Sequence, residues 1–223
     1  MIGQHVWKVC GALLGIGAVV KASVFTYTPV FADTGLTVSG AKLVATASAG
    51  DTFIHQITVS IGSDDQPMDM TVQVLPMAQA LDGTPLSSQE ANPYSASSFI
   101  TLDKDSFHLD PGGKQMVNAT IRIPKGVGDG GRYALIKVAT QPPAGSALSV
   151  ITAVNIPIYI TIKGSRLANQ GKITSLSADV SSSQAIEVVS VFENTGNHDF
   201  KIKNNLTLRD SKGQTVASTK TDL

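Results

Sequence analysis

His55, His108 and His198 are the side chains best suited to proton transfer or metal ligation, and their spacing argues against both roles. They fall in three different predicted strands or turns, none within ligand spacing of another histidine or a cysteine, and no His-Glu-x-x-His or Cys-x-x-Cys occurs. His55 sits on an apolar strand face, where the expected role is a histidine satisfied within the core. Ala144-Gly-Ser146 lacks the strand-to-helix setting that exposes a serine nucleophile. Lys125-Gly-Val-Gly-Asp-Gly-Gly131 is glycine-rich, but no Lys-Ser/Thr and no helix follow to aim amides at phosphate, so it reads as a turn. Asp103, Asp105 and Asp110 offer the oxygens that calcium takes in extracellular loops, yet at this spacing solvated turn acids are the expectation. Asn118-Ala-Thr120 and Asn205-Leu-Thr207 are formal glycosylation sequons, the first inside a predicted strand. These groups do not converge, so no catalytic residue, metal ligand or cofactor site is assigned. A non-enzymatic protein is expected.

The elements that would position such groups are strands. Phe53, His55, Ile57, Val59 and Ile61 alternate with Thr52, Gln56, Thr58 and Ser60, the two-residue period of a strand with one buried face. Met68, Met70, Val72 and Val74 repeat the pattern after a Gly-Ser-Asp-Asp-Gln-Pro turn, and Val117, Ala119, Ile121 and Ile123 repeat it up to Pro124. Tyr133 to Ala139 is apolar on both faces, as a central strand covered by a second sheet would be. Ile156, Ile158, Ile160 and Ile162 share one face of a strand from Val154 to Lys163. Seven or eight strands joined by Gly/Pro turns, without a helical period, predict an antiparallel β-sandwich of immunoglobulin type. Between Pro76 and Ser98 the alternation lapses, which predicts a long loop, a common place for partner contact.

The first 32 residues read as an export signal. Lys8 precedes an apolar run from Cys10 to Val20, and Val30-Phe31-Ala32 supplies small residues for a cut. A retained anchor would need about 20 apolar residues, and Lys21, Thr26, Thr28 and Pro29 interrupt the run. Cys10 precedes the apolar run instead of closing it, which argues against a lipoprotein. Cleavage removes Lys8, Lys21, the only cysteine and the only tryptophan, leaving 15 basic against 17 acidic side chains. That charge of −2 argues against a nucleic-acid or anionic-membrane binder, and the absent thiol means no disulfide staples. An apolar content of 42% excludes general disorder.

After Gly164 a second cycle begins, with strands expected over Lys172 to Val180, Ile186 to Glu193, Phe200 to Arg209 and Gln214 to Ser218. Four strands do not close a seven-stranded sandwich. The expectation is therefore a signal over 1–32, a sandwich over 33–163, and a partial second immunoglobulin-like domain over 164–223, from a truncated gene product or one whose open face something else covers.

Phe107-His-Leu109-Asp-Pro-Gly-Gly-Lys-Gln-Met116, followed by Ile123-Pro-Lys and Gly130-Gly-Arg-Tyr-Ala-Leu135, resembles the first domain of the Gram-positive WxL-interacting surface proteins. Phe192-Glu-Asn-Thr-Gly-Asn and Asp210-Ser-Lys-Gly213 resemble the start of their second. That resemblance implies association with a cell-wall polymer and with surface proteins. The family's carboxy-terminal membrane helix has no counterpart before Leu223, so no membrane anchor is visible after signal cleavage. A sandwich ending in Ile156-Pro-Ile-Tyr-Ile-Thr-Ile162 and followed by a second one also resembles the periplasmic pilus chaperones, which implies a pilin-like subunit as partner, bound by strand addition. Arg132 and Lys163 are the cations such a resemblance proposes for a subunit's terminal carboxylate. The alternative for the isoleucines is that they fill their own core. The reading that results is a secreted or cell-surface binding protein acting through cell-wall or protein contacts, with the chaperone-like reading as its alternative.

Overall fold

The computed structural model describes residues 2–9, 35–80, 82–90, 92–141, 151–180 and 186–222. The apolar run and cut site of the predicted signal, and Ala144-Gly-Ser146, lie outside them. The strands are β1 (Ile2–Val9), β2 (Thr37–Ser39), β3 (Leu43–Ala47), β4 (Thr52–Ser60), β5 (Met68–Gln79), β6 (Pro85–Ser87), β7 (Ile100–Leu102), β8 (Ser106–Leu109), β9 (Lys114–Arg122), β10 (Gly130–Thr140), β11 (Ala153–Ile162), β12 (Gly171–Val180), β13 (Ile186–Asn194), β14 (Lys203–Arg209) and β15 (Thr215–Asp222). A 3-10 turn at Ser97–Phe99 is the only helical element among the described residues.

Two sheets form the main body. One runs β3-β11-β10-β5-β6 with β8 also on β5, and the other β2-β4-β9-β7. Their facing sides carry the alternating residues read from the sequence: Ile57, Val59 and Ile61, Met70 and Val72, Val117, Ala119, Ile121 and Ile123 are all buried in one cluster. Ile156, Ile158, Ile160 and Ile162 join it at 0, 0, 0 and 1% exposure. Each such side chain contributes about 1.5–3 kcal/mol of burial, so β11 is fixed by its inward face. The fold is an all-β, immunoglobulin-like sandwich.

The chain changes sheets at Gly40. β2 pairs antiparallel with β4, and β3 pairs parallel with β11, Leu43 opposite Ile158 and Ala47 opposite Ile162. Gly40 turns at φ 74° against the Gln56 carbonyl, a conformation and a clearance that a Cβ would not tolerate.

The segment expected as a loop from Pro76 to Ser98 is largely structured. β5 continues to Gln79 and folds back on β6 through the Asp82-Gly83 turn. Residues 94–96 then lie along β10: the Tyr133 N–H donates to the Tyr94 carbonyl, and the Ala96 N–H to the Tyr133 carbonyl. Alternation fails here because β10 swaps one partner for another at Ala134, so neither stretch keeps a simple two-faced pattern.

The strands after Gly164 form two small sheets, β1-β13-β12 and β14-β15, close to the expected four strands. β1, inside the predicted signal, pairs with β13 from Ile2 opposite Glu193 to Val9 opposite Ile186. β12 is an edge strand with Ile173 and Leu176 exposed by 56% and 61%.

Candidate functional site

The predicted titratable residues are dispersed, each with a local structural partner. His55 Nε2 lies 2.8 Å from the Gly40 carbonyl, bracing the sheet switch. His108 Nδ1 is 2.7 Å from the Asp69 carboxylate across the β5–β8 pair, with Asp110 3.6 Å from its Nε2. The hydrogen bond to Asp69 raises the His108 pKa above the ordinary imidazole value. His198 Nδ1 contacts the Asn197 side-chain oxygen at 3.3 Å. Asp103 accepts the Asn118 N–H and the Asn118 side-chain amide, both at 2.8 Å, and the backbone bond holds its carboxyl below the usual range. Asp105 accepts from the Ser106 hydroxyl instead of gathering with Asp103 and Asp110. Among the described residues no group of three His, Cys, Asp or Glu side chains could hold a metal ion.

Lys125 to Gly131 is the turn between β9 and β10. Its carbonyls, not its amides, meet a side chain: Arg132 donates to Gly131 at 2.7 Å and to Gly128 at 2.9 Å. Arg132 thus braces its own loop. Lys163 is exposed at the far end of β11, where its backbone N–H donates to the Ala47 carbonyl at 2.8 Å.

A stretch of open backbone lies at the other end of β11. Thr140 N–H donates to the Thr152 carbonyl at 3.0 Å, which sets Val154 and Ile156 as the residues bonded to β10 and turns Ala153, Asn155 and Pro157 outward. The Lys163 bond to β3 confirms that parity. β3 begins opposite Ile158, so among the described residues no strand pairs with the outward edge of 153–157. Pro157 has no N–H to leave unpaired, which suits it to this position.

The outer face of the same sheet is built in rows across β5, β10 and β11. Leu75, Leu135 and Pro157 form an apolar row, and Gln73, Lys137 and Asn155 the next, polar row. Thr71, Ala139 and Ala153 make a third. Beyond the apolar row, Tyr133 and Tyr159 stack edge to face at 5.9 Å, with Lys42 Nζ 5.3 Å above the Tyr159 ring. The turn after β13 docks here, the Gly131 N–H donating to the Asn197 carbonyl at 2.8 Å, and the segment before β12 is held nearby by the Arg166 N–H donating to Asp129 at 3.1 Å. Burial first and the Asp199 charge second push the Tyr133 hydroxyl far above its ordinary pKa.

Sequence reasoning missed this face. The available signal was Lys137, the one charge in the otherwise apolar run from Tyr133 to Ala139.

No family model matches the chain, and no curated protein matches it. The resemblance to WxL-interacting proteins therefore has no family match behind it. Solved structures do align. A chaperone-tip adhesin complex of CFA/I fimbriae biogenesis is 10% identical over 84% of this chain and 79% of that one, with a TM-score of 0.45. The E. coli chaperone DraB is 14% identical over 85% of this chain and 99% of its own, TM-score 0.39. The ASH/PapD-like domain 7 of human CEP192 is 13% identical over 64% and 96%, TM-score 0.41. At such values none of them assigns a function. No helix among the described residues is long and apolar enough to cross a membrane.

Proposed function

We propose that the chain is an exported, non-enzymatic polypeptide-binding protein, whose first sandwich (33–163, after a signal over 1–32) takes up an extended partner segment on the open edge of β11. The observation that carries this reading is the outward backbone of Ala153, Asn155 and Pro157, which no described strand pairs with because β3 begins only opposite Ile158. Main-chain bonds to such an edge supply affinity, and side-chain contacts on the adjoining face supply selectivity. The isoleucines of β11 are not the donated group, since all four are spent in the core. A pilin-like subunit, with an edge of its own to be covered, is the partner of matching chemistry. The second unit, 164–223, would flank it.

Asn155→Pro tests the edge. It removes the outward N–H together with the Asn155 side-chain amide, and leaves the bonds of Val154 and Ile156 to β10 in place; Asn155→Ala, which keeps the N–H, separates the two losses. Affinity for a pilin-like subunit should fall about tenfold with the fold retained. Equal affinity in the two proteins sinks the reading, and binding to isolated cell-wall polymer that ignores the substitution moves the function to the wall.

A further inference from the structure

We infer that the polypeptide bound on the β11 edge presents a glutamate to Lys137, an inference that rests on the edge reading above. Lys137 is partly buried on the outer face of β10, and its cross-strand neighbours are the neutral amides Gln73 and Asn155. Among the described residues its side chain makes neither a hydrogen bond nor an ion pair. The stem of Lys137 is what the face covers, leaving the ammonium without a counter-charge, whereas other partly buried charges of this chain are paired: Asp129 with Arg166 and Glu193 with Lys172. The acid along the same face of β5, Asp69, is taken by His108. Residues 142–150, Pro-Pro-Ala-Gly-Ser-Ala-Leu-Ser-Val, contain no acid that could serve.

A hollow of about 270 Å³ adjoins Lys137, lined also by Thr71, Gln73, Ala139, Gln141 and Ile151. Its polar lining adds further donors and no carboxylate. Asn155 stands between Lys137 and the open edge, so a residue of an added strand opposite Asn155 lies two strand spacings, about 10 Å, from Lys137. A lysine stem and a glutamate together span about that distance, whereas aspartate is one methylene short. The site therefore selects one acidic side chain, Glu over Asp, at the position of the docked strand facing the same way as Asn155.

The probes are soluble nonapeptides of alternating Thr and Val whose central residue is Glu, Asp, Gln or Lys, titrated by fluorescence anisotropy. The Glu peptide should bind about tenfold tighter than the Gln peptide at low salt, and the margin should shrink as salt rises. Lys137→Gln should erase the preference and Lys137→Glu should transfer it to the Lys peptide. Because Lys137 faces outward, both variants should keep the wild-type unfolding midpoint, checked by circular dichroism. Equal binding of all four peptides to the wild type overturns the glutamate inference and leaves the edge reading standing. Failure of every peptide to bind overturns both.

Discussion

The Tyr133 hydroxyl accepts the Asp199 backbone N–H at 2.9 Å and donates to the Asp199 carboxylate at 3.0 Å, so one side chain of the main sandwich holds the turn that follows β13. The same residue pairs by its backbone with Tyr94 and Ala96 and stacks on Tyr159. Three elements distant in sequence meet at this residue.

Tyr133→Phe should loosen that junction without unfolding the sandwich. It keeps the ring and its burial but strands the Asp199 N–H, a loss of about 1–3 kcal/mol in docking of the turn. Hydrogen exchange should quicken at residues 195–200 while the amides of Ile136 and Val138 stay protected. Unchanged exchange at Asp199 refutes the role given to the hydroxyl.

His108 makes β8 sensitive to pH. Its folded-state pKa is raised by the hydrogen bond to Asp69, so the stabilisation is fully present below the ordinary imidazole value and fades as pH rises through the raised one. Titration by NMR should show His108 changing charge above the ordinary imidazole value, and Asp69→Asn should return it toward that value. After correction for the base-catalysed intrinsic rate, amide protection at Phe107 and Leu109 should be higher at pH 5.5 than at pH 8, as the local loss of a surface pair predicts. Coincident titration of His108 in the wild type and in Asp69→Asn contradicts the assignment.

The isoleucines of β11 give a direct measure of which way that strand faces. Ile158→Ala should destabilise by about 2–5 kcal/mol through cavity formation, whereas Ile54→Ala, at a side chain 61% exposed, should cost under about 1 kcal/mol. Comparable urea midpoints for the two variants would mean that the β11 isoleucines are offered to solvent or partner.

Gly40→Ala should cost more than Gly213→Ala. Both glycines have φ between 70° and 80° (74° and 78°), so backbone strain of about 1 kcal/mol is common to both. Only at Gly40 would the new Cβ press on a backbone carbonyl, that of Gln56, while nothing lies within 4 Å at Gly213. Denaturant unfolding of the two variants isolates the steric part, and equal losses would show that β2 can shift to make room.

The sandwich was legible because its signal is local. Phe53 to Ile61 or Val117 to Ile123 announces a half-buried strand from adjacent residues alone, and the burial observed follows that parity. The edge and its face were not legible, for two physical reasons. Whether Asn155 points its N–H at a neighbouring strand or away from one depends on where β3 begins, more than a hundred residues earlier in the chain. The meaning of Lys137 likewise depends on Gln73 and Asn155, each brought beside it only by register. Tyr133 and Asp199 are 66 positions apart, and neither residue type demands the other. The structured return of 85–96 went unread because β10 changes partner within one strand.

The passage of one continuous segment from β2 to β3 also decides how the molecule bears load. β3 runs parallel to β11, so a pull on the chain upstream of Gly35 against a pull downstream of Lys163 slides these strands lengthwise past one another. Their bonds, from Leu43 to Ala47, then resist together instead of parting one at a time as in a peeled hairpin. Tension along the chain would thus be carried in shear, beside the stretch of β11 that β3 leaves unpaired.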